Sequence, residues 1–237
     1  MRYLGGKARI ARKIAEVIAA HAPDKRRLWE PFMGGGNATQ VLAPYFTEVE
    51  ASDVHEDLVL MWQALLSGWE PDPNVTDGAY QALRFAPPSA QRGFAGFAAS
   101  FGGRWFGGYA RDGKGMNYGA AGARSLATSV KTMGNVRVAR RSYSDIRVSP
   151  GDVVYCDPPY AATTGYQSSF DPAAFWDCAG KWVAEGATVF VSEYDAPRGW
   201  ECLWSVERVR GLRSAKQTET RVTERLFWIP PYNGENP

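Results

Sequence analysis

Apolar and polar positions in the first part of the chain alternate between helical and strand spacing. Isoleucine and valine recur every three to four positions over residues 8–19, which predicts an amphipathic helix. A short strand is predicted over 28–32, followed by the glycine turn 34–36 and a short helix. A strand over 48–52 and a helix over 56–66 complete a strand, turn, helix, strand, helix block.

The same alternation resumes in the second half of the chain. A buried strand is predicted over 153–156, and a helix over 171–185 begins with an Asp–Pro pair typical of an N-cap and first helical position. A further strand is predicted over 187–192, and two β-rich runs, near 203–209 and 222–229, are suited to antiparallel pairing. Strands alternating with helices favour an α/β protein with a mostly parallel sheet covered on both faces.

The segment 68–147 interrupts this alternation and is predicted to be an insertion. Its stretch 92–119 holds nine glycines and seven aromatic residues. From 92 to 147 there are ten Lys and Arg against two acids, a balance of +8, whereas the other 181 residues have a balance of −6. A basic segment on a mildly acidic body suggests a polyanionic partner, although a solvated basic surface would have the same composition.

Composition excludes several classes of site. Three cysteines and two histidines, none at metal-ligand spacing, provide little for a zinc site or a Ser–His–Asp triad, so no metal is expected. No apolar run approaches the roughly 18 residues of a membrane span, and the N-terminus lacks the apolar stretch of a secretory signal. We therefore expect a cytoplasmic protein, monomeric and without membrane contact.

Three features should meet at the carboxyl edge of the sheet: the glycine turn, Asp53 and the loop after Cys156. Asp53 lies 19 residues after Gly34, close to the spacing at which an acid reaches ribose hydroxyls. The turn has no lysine for a P-loop, and Thr39 stands where a GxGxxG motif needs glycine. Glu30 precedes the turn and would suit a cationic group better than a phosphate. S-adenosylmethionine, with a ribose, a sulfonium and no phosphate, fits these features.

The tetrapeptide DPPY, 157–160, follows the buried strand and is suited to holding an amine. An ionised aspartate only accepts hydrogen bonds, and Pro158 and Pro159 present carbonyls without a competing N–H. Two acceptors on the N–H groups of a nucleobase amine would localise its lone pair, and Tyr160 offers a ring for stacking at roughly 1–3 kcal/mol per base. A plain strand-ending turn is the alternative interpretation.

In order along the chain, RYLGGK (2–7), EPFMGGGNA (30–38), SD (52–53) and DPPY resemble the motifs of the Dam-type, D12-class DNA adenine-N6 methyltransferases. TTGY (163–166) and VTERLF (222–227) also look like members of that group. The resemblance implies a Rossmann-like class I methyltransferase sheet formed by 1–67 and 148–237, with 68–147 as an inserted target-recognition domain.

It also implies the site residues. The catalytic set would be Asp157, Pro158, Pro159 and Tyr160. The S-adenosylmethionine contacts would be Tyr3, Lys7, Phe32, Gly34, Asp53 and Asp157. The implied reaction is transfer of a methyl group to N6 of an adenine flipped out of double-stranded DNA, as in restriction-modification.

The inserted segment supplies the candidate DNA contacts, most of them to phosphates. They are Arg104, Arg111, Lys114, Arg124, Lys131, Arg137 and Arg140, with Trp105 and Arg141 as further members of the pool. Burial of Trp105 and Phe106 in the segment's own core is at least as well supported as DNA contact. For the whole chain, the alternatives are a cytosine-N4 or protein-glutamine methyltransferase and a non-catalytic DNA-binding protein.

Overall fold

The computed structural model describes residues 1–111, 113, 115–159, 170–210 and 220–230. Predictions for Lys114, Tyr160 and TTGY (163–166) fall outside these residues. The described chain forms a mixed sheet with helices packed on it.

Within the described residues the sheet has seven strands in the order β3-β2-β1-β4-β5-β7-β6. Their bounds are β1 Arg27–Glu30, β2 Glu48–Asp53, β3 Val136–Arg140, β4 Val153–Cys156, β5 Thr188–Glu193, β6 Glu201–Arg210 and β7 Thr220–Trp228. Strands β3, β2, β1, β4 and β5 pair in parallel, while β7 lies antiparallel between β5 and β6. The predicted mostly parallel sheet with an antiparallel C-terminal strand is confirmed.

Seven α-helices connect and cover these strands in the part of the chain described. They are α1 Ala11–His21, α2 Thr39–Leu42, α3 Glu56–Leu66, α4 Asp77–Arg84, α5 Ala90–Ala98, α6 Tyr118–Val130 and α7 Pro172–Ala184. The predicted N-cap of α7 is confirmed, because the Asp171 carboxylate accepts the N–H groups of Ala173 and Ala174. None of the described helices combines the length and the apolar character needed to cross a membrane.

The core has one part on each face of the sheet. On one face, Leu28, Val49 and Tyr155 join a cluster that includes Ile14 and Trp62. On the other, Val154, Cys156 and Val191 pack with Phe175 and Trp182 of α7. Strands β1, β4 and β5 are thus buried on both faces, as expected for central parallel strands.

The segment 68–147 contributes both to the sheet and to the larger core cluster. β3 is the edge strand and pairs with β2 over five residues, from Val49↔Val136 to Asp53↔Arg140. Its helices pack on α3, where the buried Asp57 carboxylate accepts a hydrogen bond from Arg92 at 2.6 Å. Phe106 is buried and Trp105 is half-buried against Phe97 and His55, as the core interpretation of these rings predicts.

Candidate active site

The candidate site lies at the point where the strand order reverses. β1 pairs with β2 on one side and β4 on the other, so the loops after these strands diverge and leave a crevice at their carboxyl ends. Glu30 ends β1, Asp53 ends β2, and Asp157 directly follows β4. The topology therefore gathers three carboxyl groups that are far apart in sequence.

The glycine turn after β1 is held tightly against the N-terminal segment. The N–H of Met33 donates to the Ser52 carbonyl, and Gly34 has a φ of +50°. A Cβ at Gly34 would lie 2.8 Å from the Tyr3 ring, so the absence of a side chain lets Tyr3 pack directly on the turn. The structure thus brings together Tyr3 and Gly34, two of the residues predicted to contact the cofactor.

Asp53 fixes the same turn from the other side. Its Oδ2 accepts the Gly34 N–H at 3.0 Å, and its Oδ1 accepts the His55 N–H at 2.9 Å. Burial raises the pKa of Asp53, and the two backbone donors oppose that shift. Each carboxylate oxygen has about two lone-pair sites, so capacity remains for the hydroxyls of a ribose.

Lys7 lies inside the site and pairs directly with the catalytic candidate. Its side chain is 2% exposed, and its Nζ is 2.8 Å from Asp157 Oδ1 and 3.8 Å from Glu224 Oε2. The Asp157 side chain is 19% exposed, so the carboxylate is partly accessible. The ion pair favours the ionised, acceptor-only form of Asp157 that amine binding requires.

Glu224 was missed by the sequence-based site prediction, although a signal for it exists. It lies on β7, which has a neighbouring strand on each side, between the half-buried Val222 and the buried Leu226 on the same face. An acid on the buried face of an interior strand requires a partner, because a buried unpaired charge is costly. Period-two alternation through VTERLF could have identified it as a site residue.

Glu30 is a second buried acid at the crevice. It is 2% exposed, and its Oε2 makes no hydrogen bond with any described residue. Burial raises its pKa to about 8, and the nearby negative charge of Asp157 acts in the same direction. The buried oxygen of this protonated carboxyl would be satisfied by a hydrogen-bond donor on a bound ligand.

The other predicted site residues are placed as follows. Phe32 packs among Tyr143, Phe170 and Phe175, with its ring centroid 5.5 Å from that of Tyr143. Pro158 is buried and Pro159 half-buried. Phe32 thus packs against the core on the α7 face of the sheet, whereas Tyr3 packs against the core on the opposite face.

The predicted DNA contacts fall into two groups. Arg111 pairs with Asp77, Arg137 with Glu50 at 2.6 Å, and Arg140 with Glu56 at 3.2 Å. Three others, Arg104, Arg124 and Lys131, are exposed and form no ion pair with any described residue. Arg141 lies over the Trp29 ring at 5.4 Å.

Replacing Gly36 with alanine should disrupt the turn. Gly36 has a φ of +67°, and a Cβ there would lie 2.5 Å from the buried Trp62 ring, whose Nε1 donates to the Gly34 carbonyl. We expect Gly36→Ala to lower the free energy of unfolding by about 2–4 kcal/mol in urea denaturation. Gly180→Ala is the control, because a Cβ on this α7 residue meets nothing within 4 Å and should be neutral or stabilising. Equal stability of the two variants would contradict this account of the turn.

Glu30 should give the stability a distinctive pH dependence. The folded protein keeps this carboxyl protonated up to about pH 8, whereas the unfolded chain ionises it near 4.5. Unfolding between pH 4.5 and pH 8 therefore releases a proton. The stabilisation by Glu30 is fully present below pH 4.5 and falls by up to about 1.4 kcal/mol per pH unit as the pH rises to 8. Glu30→Gln should therefore lose less stability over this range in urea denaturation. Parallel curves for the variant and the natural chain would show that Glu30 is ionised when folded.

Comparison with known proteins bears on the family. Residues 3–86 match the model of the D12 class N6 adenine-specific DNA methyltransferases. The matched range contains Tyr3, Lys7, the glycine turn and Asp53, the elements gathered around the crevice, and it confirms the resemblance predicted from the motifs.

No curated protein matches the chain. Solved structures with similar folds include a candidate RNA methyltransferase from Pyrococcus horikoshii, with 10% identity, 95% and 84% coverage of the two chains and a TM-score of 0.46. A candidate methyltransferase from Streptococcus mutans in complex with SAH has 10% identity, 93% and 98% coverage and a TM-score of 0.42. The 23S rRNA methyltransferase ErmE has 12% identity, 92% and 68% coverage and a TM-score of 0.43.

Proposed function

We propose that the protein is an S-adenosylmethionine-dependent methyltransferase that modifies the N6 amine of an adenine flipped out of double-stranded DNA. The observation that carries the proposal is the Asp157 carboxylate, 2.8 Å from the Lys7 ammonium at the β1/β4 crevice, next to a glycine turn that lies within the match to the D12-class model. The match to the D12-class model supports methyl transfer, and we propose that the acceptor is adenine in DNA.

The residues of the crevice fit S-adenosylmethionine. Among the described groups there, the carboxylates of Asp157 and Glu224 lie beside Lys7, the one buried cation, so that acids outnumber the base and favour a positively charged ligand. Glu30, which burial keeps protonated, adds a hydrogen-bonding oxygen and no charge. Asp53 has acceptor capacity for ribose hydroxyls, and the turn at Gly34 presents backbone and not side chain to the crevice. When bound, the cofactor supplies a methyl group on a sulfonium.

The chain's own residues would then hold the acceptor nitrogen. Asp157 accepts one N–H of the adenine amine and the Pro158 carbonyl accepts the other, so that the nitrogen lone pair is directed away from the ring. Lys7 stays beside Asp157 and keeps it ionised, and Tyr160 stacks on the base. Positioning of the two reacting atoms provides most of the rate enhancement.

The DNA is proposed to lie on the basic segment. Arg104, Arg124 and Lys131 support this assignment, since no described carboxylate already neutralises them. For Arg111, Arg137 and Arg140, contact with DNA stays a prediction, as it does for Lys114. We propose that 1–67 and 148–237 form the catalytic domain and that 68–147 forms the recognition domain. The recognition domain supplies the DNA contacts, and it also contributes β3 to the sheet. We propose a monomer acting in the cytoplasm.

Identification of the methylated product tests the proposal. Purified protein is incubated with S-adenosylmethionine carrying a labelled methyl group and with duplex DNA, single-stranded RNA or protein, and each substrate is hydrolysed and separated by chromatography. We expect label in N6-methyldeoxyadenosine. Label in N4-methylcytosine, in RNA or in glutamine would move the function to another substrate, and cofactor binding without any transfer would favour a non-catalytic protein.

A further inference from the structure

A cavity of about 510 Å³ lies between the N-terminal segment, the glycine turn and α6. Its polar lining consists mainly of Arg2, Tyr3, Arg9, Asn37, Tyr118 and Ser125. None of its lining residues is acidic. The cavity is therefore electropositive, which is the reverse of the carboxylate-rich crevice beside it.

The walls of the cavity are fixed by close packing. The Leu4 N–H donates to the Gly103 carbonyl at 3.2 Å, and a Cβ at Gly103 would lie 2.7 Å from the Arg2 backbone. On the opposite wall, α6 approaches α5 so closely that a Cβ on Gly122 would lie 2.6 Å from that of Ala98. The N-terminal segment is thus held at a defined distance from α6 by two glycine contacts.

The two arginines of the cavity are available for an anion. Arg2 and Arg9 are exposed and form no ion pair with the residues that the structure describes. The Arg2 guanidinium lies 4.6 Å above the Tyr118 ring, which orients it without neutralising it. By contrast, Arg137 and Arg140 on β3 already have carboxylate partners in Glu50 and Glu56.

The cavity and the catalytic crevice share one piece of chain. Tyr3 and Gly6 line the cavity, Tyr3 also packs on Gly34, and Lys7 pairs with Asp157. A polyanion that crossed the cavity would therefore pass within a few residues of the carboxylate proposed to hold the target amine. A free small anion would have no need of this continuity, whereas a DNA strand supplies both the phosphates and the base.

We infer that the cavity binds the sugar–phosphate backbone of the DNA strand that carries the target adenine, with Arg2 and Arg9 on its phosphates. This inference rests on the proposed function and extends it, because it adds two residues outside the basic segment to the DNA-binding surface. Arg2 and Arg9 position the strand, and Tyr118 orients Arg2. Phosphate contacts of this kind fix register and carry no sequence information.

The salt dependence of DNA binding tests the inference. Each phosphate contact contributes about −0.9 to the slope of log K against log salt, so Arg2→Gln/Arg9→Gln should reduce the slope by about 1.8. The matched control is Lys25→Gln/Arg26→Gln, which also removes two exposed cations but lies at the amino end of β1 and outside the proposed DNA surface, so it should leave the slope near that of the natural chain. Circular dichroism and S-adenosylmethionine binding are measured on both variants to verify the fold.

The outcomes separate this inference from the proposed function. An unchanged slope for Arg2→Gln/Arg9→Gln, or an equal fall in the control, in a protein that still methylates DNA would overturn the inference alone. Binding of dAMP that needs both arginines, with the DNA slope unchanged, would make the cavity a nucleotide site and also overturn it. If the natural chain neither binds nor methylates DNA, the proposed function is wrong, and this inference is wrong with it.

Discussion

Replacing Asp157 with asparagine should lower the rate of methyl transfer by at least about 100-fold. Asparagine has the shape of aspartate, but it replaces one acceptor oxygen with an NH₂ donor that faces the N–H groups of the target amine. The rate is measured in a single turnover with saturating DNA and cofactor, so that weaker binding of either does not hide the effect on the chemical step. Asp195→Asn, at an exposed position, is the control and should retain the rate.

The same substitution should also affect stability, because Asp157 is not only a catalytic candidate. It is the nearer carboxylate of the buried Lys7, at 2.8 Å against 3.8 Å for Glu224. Circular dichroism must therefore show that Asp157→Asn is folded at the assay temperature. A folded variant that transfers methyl groups at a near-normal rate would remove Asp157 from the chemistry.

Replacing Lys7 with methionine should destabilise the fold by about 3 kcal/mol. Methionine fills a similar volume, but the negative charges of Asp157 and Glu224 are left facing each other without the buried ammonium. Urea denaturation measures the loss, and Lys13→Met is the control. Lys13 forms an exposed pair with Glu16, and its removal should change stability by less than about 0.5 kcal/mol.

A double-mutant cycle shows whether this loss comes from the ion pair. The double variant Lys7→Met/Asp157→Asn should lose clearly less stability than the sum of the losses of the two single variants. The reason is that Asp157→Asn removes the negative charge that Lys7→Met leaves without its ammonium partner. Additive losses would mean that Lys7 and Asp157 do not interact in the folded protein. In that case the ionised state of Asp157 would need another explanation.

Local sequence signals were sufficient for much of the scaffold. The helix 56–66 and the strand 153–156 have the predicted bounds, because a strong periodicity and flanking turn residues mark both ends. The cap of α7 was readable from Asp171 and Pro172 alone. By contrast, helix 8–19 was predicted to begin three residues before α1 does, since element ends carry weaker signals than element centres.

Long-range pairing is what the sequence left unresolved. β3 lies inside the segment read as an insertion, and its place in the sheet depends on pairing with β2, more than 80 residues earlier in the chain. The Lys7–Asp157 contact joins residues 150 positions apart, which no local pattern encodes. Lys7 and Asp157 were both predicted as site residues from motifs. Their ion pair, and the position of Glu224 beside Lys7, became visible only in the folded structure.

The most direct measurement of the central claim is a crystal structure of the protein with duplex DNA and a non-reactive analogue of S-adenosylmethionine. The account predicts an adenine outside the helix, with its N6 within hydrogen-bond distance of an Asp157 carboxylate oxygen and of the Pro158 carbonyl, and in line with the position of the transferable methyl group. An adenine that stays stacked in the duplex, or an amine held by residues other than Asp157, would contradict it.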